Sequence, residues 1–121
     1  MHFVSETEAI TVIRRADIPF RPVQGDGAAG LSLARLHRPT DNALTFQMAR
    51  IEPGGVSRRH AHPWEQVNLV ISGSGIVDSG DAQITIEPGD CVIFPGNVSH
   101  AISCAGAEPL VLVATLGPGA T

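Results

Sequence analysis

Turn-forming residues recur along this chain at intervals too short for helices. Thirteen Gly and nine Pro stand among 121 residues, and many fall in clusters such as Ser72-Gly73-Ser74-Gly75, Ser79-Gly80-Asp81, Glu87-Pro88-Gly89-Asp90 and Pro95-Gly96-Asn97. Between the clusters lie the extended segment 56–62 and short runs with Val, Ile or Leu: 65–71, 76–78, 82–86, 91–94, 98–104 and 110–116. Upstream, 10–13, 31–36 and 43–51 read the same way, the last stopped by Glu52-Pro53-Gly54-Gly55. No window sustains the i, i+3, i+4, i+7 spacing of an amphipathic helix. About ten short strands with this punctuation predict an all-β sandwich or barrel. The length fits one domain, 1–121, with N-terminal strands and a loop over 1–40 and a core barrel over 41–117.

Composition removes several kinds of chemistry. All eight cationic side chains are Arg, so Schiff-base catalysis and a P-loop lysine are excluded. Tyr is absent as well, which removes phenol acids and nucleophiles. The formal net charge of −4 gives no basic surface for nucleic acid or an anionic membrane. Cys91 and Cys104 have no CxxC spacing and are expected to be small buried hydrophobes in a reducing compartment. The N-terminus lacks a basic segment followed by an apolar one, and uncharged runs fall short of the ~20 residues of a membrane span. The expectation is a cytoplasmic protein that binds neither nucleic acid nor membrane.

The histidines carry the chemical signal. His60-Ala61-His62 lies in a segment expected to be extended, where residues i and i+2 project from one face and two imidazoles can share an ion. His100 follows the Pro95-Gly96-Asn97 turn. His2 and His37 are expected to be uninvolved, one near the terminus and one beside Arg38-Pro39. A lone His on a strand is more often a hydrogen-bonded core residue than a ligand, whereas three in this arrangement favour a metal.

Gly54, five residues, His60-x-His62, then Glu65-Gln66 and Gly73 resembles the first motif of the cupin superfamily. Gly89, five residues, Pro95-Gly96-Asn97, two residues and His100 resembles the second. The resemblance implies a single-domain cupin barrel, a double-stranded β-helix or jelly roll, holding one divalent transition metal (Fe, Mn, Ni, Zn or Cu). In that family the acidic ligand follows the His pair by three or four residues. The register to Gly73 puts Gln66 at that place, and Glu65 one residue early, on the opposite face of a strand. The string His-x-His-Pro-x-Glu-Gln also occurs in cupins whose Gln is the ligand. The implied metal set is therefore His60, His62, Gln66 and His100, with Glu65 as the substitute for Gln66. Parity from Gln66 also sends Asn68 and Val70 inward. Asn97 replaces a frequent Gly of the second motif, and Asn tolerates the left-handed conformation such a turn needs.

Arg58 shares parity with His60 and is a candidate for holding an anionic group at the barrel mouth, while Arg59 points outward. Arg50 and Met48, together on the preceding strand, are similar candidates. Trp64 is either a pocket wall or a dimer contact. The resemblance implies a metal-dependent enzyme acting on an oxygen-rich or carbonyl/enol small molecule, an anionic one included. Dioxygenase-type chemistry and Lewis-acid isomerase, lyase or cyclase chemistry are both open. The alternative is a non-catalytic metal-bearing barrel that binds or senses a small molecule. The cupins that open unsaturated uronic acid rings place an acid and an Arg near the end of the final strand, and 111–118 has neither. Open sheet edges and the β-rich segment 10–13 predict a homodimer, with that segment pairing onto a neighbouring sheet.

Overall fold

The computed structural model describes residues 4–7, 10–25, 27–38 and 43–120. His2 and Pro39 lie outside them. Among the described residues the chain forms eleven strands and one short 3-10 turn: β1 (Val4–Thr7), β2 (Ile10–Ile13), the turn at Arg15–Asp17, β3 (Arg21–Pro22), β4 (Ala29–His37), β5 (Thr45–Val56), β6 (Glu65–Ser72), β7 (Gly75–Asp78), β8 (Gln83–Ile86), β9 (Cys91–Phe94), β10 (Ala101–Cys104) and β11 (Leu110–Gly117). No helix among them is long and apolar enough to cross a membrane.

β1 and β2 form a hairpin of their own. The other nine strands make one curled sheet in the order β8-β7-β10-β5-β11-β6-β9, with β4 beside β5 and β3 beside β4. The fold is the all-β half-barrel expected from the strand rhythm and the two motifs.

β5 holds the curl together. It pairs β4 and β11 along 45–51 and reaches β10 at Val56. The stop expected at Glu52-Pro53-Gly54-Gly55 is instead a bend inside one long strand. Gly54 sits at φ 80°, in the left-handed region that favours Gly, and the chain turns there without leaving the sheet. Past Val56 the strand ends, and the expected extended run 56–62 is mostly irregular, held to the sheet where Ser57 N–H donates to Ile102 O at 2.8 Å and where His60 bridges His100.

Alternation decides which side chains enter the barrel. On β6, Asn68 and Val70 are buried while Leu69 and Ile71 face out. On β11, Leu110, Leu112, Ala114 and Leu116 are buried. Leu31, Ile51, Val70, Val77, Ile86, Phe94, Ile102, Cys104, Leu110 and Leu112 form the main core cluster. Cys104 is buried as expected, but Cys91 is exposed, because its position on β9 points away from the core.

Candidate metal centre

The second motif is clamped onto the first. Asn97 N–H donates to His62 O at 2.7 Å, and His60 and His100 exchange both backbone hydrogen bonds at 3.0 and 3.1 Å. Gly96 packs so closely on the Pro63 carbonyl that any Cβ would collide with it. Asn97 adopts φ 67°, the left-handed conformation that its place in the turn demands. These backbone contacts bring three histidines from two distant segments to one point.

Ligating nitrogens of His60, His62 and His100 lie within 4.8 Å of one another. Two of the rings are held by stacking: Trp64 lies 4.7 Å from His62 at 7°, and Phe94 lies 4.0 Å from His100 at 13°. Each Nδ1 faces a backbone carbonyl: Arg58 O at 2.8 Å for His60, Trp64 O at 2.9 Å for His62, and Val98 O at 2.9 Å for His100. A carbonyl only accepts, so each Nδ1 carries the ring proton and each Nε2 presents a lone pair. Such carbonyl contacts are how metal-ligating histidines are oriented.

The Nε2 atoms therefore meet without a donor among them. His100 is 1% exposed, and its Nε2 has no hydrogen-bond partner. Gln66 Oε1, also an acceptor, stands 3.1 Å from His62 Nε2. A neutral imidazole has one N–H, so it cannot serve both Trp64 O and Gln66 Oε1. Four converging lone pairs call for a cation, and three imidazoles with an amide oxygen suit a divalent transition metal. Burial, joined by the neighbouring His60 and His62, pushes the His100 pKa below the ordinary imidazole range, despite the opposing hydrogen bond to Val98 O. That keeps the ring neutral, the form a metal binds.

The histidines close one end of a cavity of about 280 Å³. Its walls are largely apolar, from Leu31, Leu33, Ala49, Ile51, Ile102, Leu112, Ala114 and Leu116, and its polar lining includes Gln47, Ser57, Gln66 and Asn68. No Asp or Glu lines it among the described residues.

The sequence-derived candidates fall on both sides of the wall. Gln66 joins the histidines, while Glu65 is exposed on the other face of β6. Arg58 lines the cavity at its exposed rim, and Arg59 points away to Asp78 at 2.8 Å. Trp64 is a cavity wall. Arg50 and Met48 need correction: on β5 the odd residues Thr45, Gln47 and Ile51 are the buried ones, so Met48 and Arg50 lie on the outer face. Arg50 pairs there with Glu52 at 2.7 Å. His37 ends β4, exposed and away from the cluster. Gln47, Ser57 and Arg35 also line the cavity without having been singled out. The parity of Gln47 with Ile51 was the available signal for the first.

Comparison with known proteins agrees with the geometry. The family model described as "Cupin domain" matches residues 47–116. Among solved structures, the polyketide cyclase RemF from Streptomyces resistomycificus superposes with a TM-score of 0.79 at 20% identity, covering 88% of this chain and 78% of that one. A predicted oxalate decarboxylase from Thermotoga maritima gives 0.79 at 22%, covering 87% and 96%. An RmlC-like cupin from Shewanella frigidimarina gives 0.71 at 22%, covering 95% and 93%. No curated protein matches the chain. With its domain match spanning both histidine motifs and its curled sheet shared with these structures, the chain belongs to the cupin family.

Proposed function

We propose that this protein is a metal-dependent enzyme acting on a small enolisable carbonyl compound by Lewis-acid chemistry of the isomerase, lyase or cyclase kind. One observation carries the reading: four acceptor atoms, none of them anionic, come together in the wall of a largely apolar cavity. His60, His62, His100 and Gln66 would hold the ion. When bound, a divalent transition metal supplies positive charge to a substrate oxygen. Because Gln66 is neutral, the protein cancels none of that charge, and the centre favours enolate or carboxylate oxygens over neutral ones.

The remaining work belongs to the walls. Apolar side chains exclude water, which strengthens every electrostatic contact at the closed end. Arg58 at the rim is suited to an anionic group on the substrate's outer end. At about 280 Å³ the cavity lies at the small end of ligand sites, roughly 300–1,000 Å³, so it suits a molecule of modest size. The chemistry in the name of the polyketide cyclase RemF is of this class, and it enters here as part of the proposal.

A second reading, a non-catalytic barrel that binds or senses such a compound, is favoured by a cavity lining that, among the described residues, contains no carboxylate to act as a dedicated acid or base. Incubating metal-loaded protein with a panel of 1,3-dicarbonyl and aromatic polycarbonyl compounds, in air and under nitrogen, separates the readings. Turnover under both gases supports the Lewis-acid enzyme. Turnover in air alone would replace it with oxygenase chemistry, and tight binding without turnover would replace it with the binding barrel. A homodimer is part of the proposal, since Ile10 on the separate hairpin and Leu69, Ile71 and Ile93 on the sheet are exposed apolar groups. Light scattering should give twice the monomer mass, and a clean monomer at micromolar concentration would remove it.

A further inference from the structure

Asn68 lies on the inner face of β6, two residues beyond Gln66, and is 1% exposed. Its Oδ1 accepts the Gln66 Nε2–H at 3.2 Å. Its Nδ2 is buried and has no hydrogen-bond partner, although the residue lines the cavity. A buried amide N–H without an acceptor costs free energy, and a native structure that keeps one has a reason for it.

The direction of this small network matters. With Asn68 Oδ1 on Gln66 Nε2, the Gln66 oxygen must face His62, where an ion would use it. Were both amides reversed, Gln66 N–H would satisfy His62 Nε2 and Asn68 N–H would satisfy Gln66 Oε1, closing the network with no cation. The observed sense is the one a cation requires, and it leaves the Asn68 N–H group, on a residue that lines the cavity, without a partner.

Resting on the metal-site reading above, we propose that Asn68 both orients the Gln66 oxygen toward the ion and donates from Nδ2 to an oxygen of the bound substrate. The cavity thereby selects a carbonyl or enolate oxygen beside the metal end and rejects a group that can only donate, such as an ammonium, which would face N–H against N–H. Asn68 is thus a positioning residue toward the ion and a specificity-determining one toward the substrate.

The test uses zinc, and tropolone as a small apolar ring with two adjacent oxygens. Zinc affinity is measured by calorimetry on the metal-free protein, and tropolone affinity by absorbance on the zinc-loaded protein, for wild type, Asn68→Asp and Asn68→Leu. An Asp at this position can only accept from Gln66, so it keeps the Gln66 oxygen on the ion while losing the N–H. Asn68→Asp should hold zinc as tightly as wild type or tighter, yet bind tropolone at least about tenfold more weakly, the worth of a hydrogen bond to a charged acceptor. Asn68→Leu loses both functions and adds no charge, so it separates the lost donor from simple repulsion. Its zinc affinity should fall about tenfold, as for other lost contacts to a ligand, and its tropolone affinity by a comparable further factor. Thermal melts of the same samples identify a variant that fails to fold, and Asn68→Asp then decides alone. If wild type binds zinc and tropolone and both variants match it, or if Asn68→Asp loses zinc but not tropolone, the role given to Asn68 is wrong and the metal reading stands. If wild type takes up no zinc, the metal reading fails and this proposal falls with it.

Discussion

β6 and β11 lie side by side in the barrel wall, yet their inward residues do different work. In register, Gln66 faces Leu116, Asn68 faces Ala114 and Val70 faces Leu112 across the ladder. β11 presents apolar groups along its whole inner face, whereas β6 changes from polar to apolar within five residues. The polar pair is flanked by apolar residues on its other side too, Phe94 and Val92 of β9. A barrel of this kind stands on its β11-type faces and carries its chemistry as a polar minority that the core tolerates.

The largest effect should come from breaking the apolar side. Leu112 is 1% exposed, and Leu112→Ala should cost about 2–5 kcal/mol, the usual range for a core leucine, as measured by urea unfolding. Zinc affinity of the folded variant should stay within a few-fold of wild type, because no ligand moves.

The reverse change belongs to the polar end. His100→Ala should lower zinc affinity by more than ~100-fold, beyond the ~10–100-fold that loss of an outer contact produces. The metal-free variant should keep a cooperative melt, since water can fill the polar space left behind. If it is unfolded at room temperature, the site is structural, as in a zinc finger, and the contrast between the two strands collapses.

A smaller effect separates the two ends by pH. The folded-state pKa of His100 is depressed, so in the metal-free protein the unfolded chain binds more protons as the pH falls below the free imidazole value of about 6.5. Stability is then full above that value and declines as the pH drops toward the folded pKa. Melts of the metal-free protein between about pH 7.5 and 5 should fall, and the fall should flatten in His100→Ala. An equal slope in both proteins would assign the dependence to other groups.

Local signals carried much of this into the sequence. Turn clusters delimit β6, β7, β9 and β11 closely, and the spacing of His60, His62 and His100 marks the cluster that the structure assembles. What stayed hidden depends on bends. Parity along 56–62 could not be read from a run that is irregular after Val56, and His62 reaches the site through contacts to Trp64 and Asn97 instead. On β5 the inward face is that of Gln47 and Ile51, and the local parity signal for it is weak, because Gln47 is polar and Met48 on the other face is apolar. Only pairing on both sides, with β4 and β11, fixes it. Asn68 was legible as inward-facing, but its unpaired N–H depends on a network of three side chains that no spacing encodes.

Metal titration of three variants at the adjacent positions 65 and 66 decides which side chain completes the metal site. The amide oxygen of Gln66, on the inner face of β6, is expected to complete the histidine cluster, and Glu65 on the outer face to take no part. Calorimetric titration of zinc into metal-free protein should show Gln66→Ala weakened by ~10-fold or more, Gln66→Glu unchanged or tighter, and Glu65→Gln equal to wild type. If Glu65→Gln loses the ion while Gln66→Ala keeps it, the ligand assignment is wrong by one residue and the neutral-site argument is contradicted.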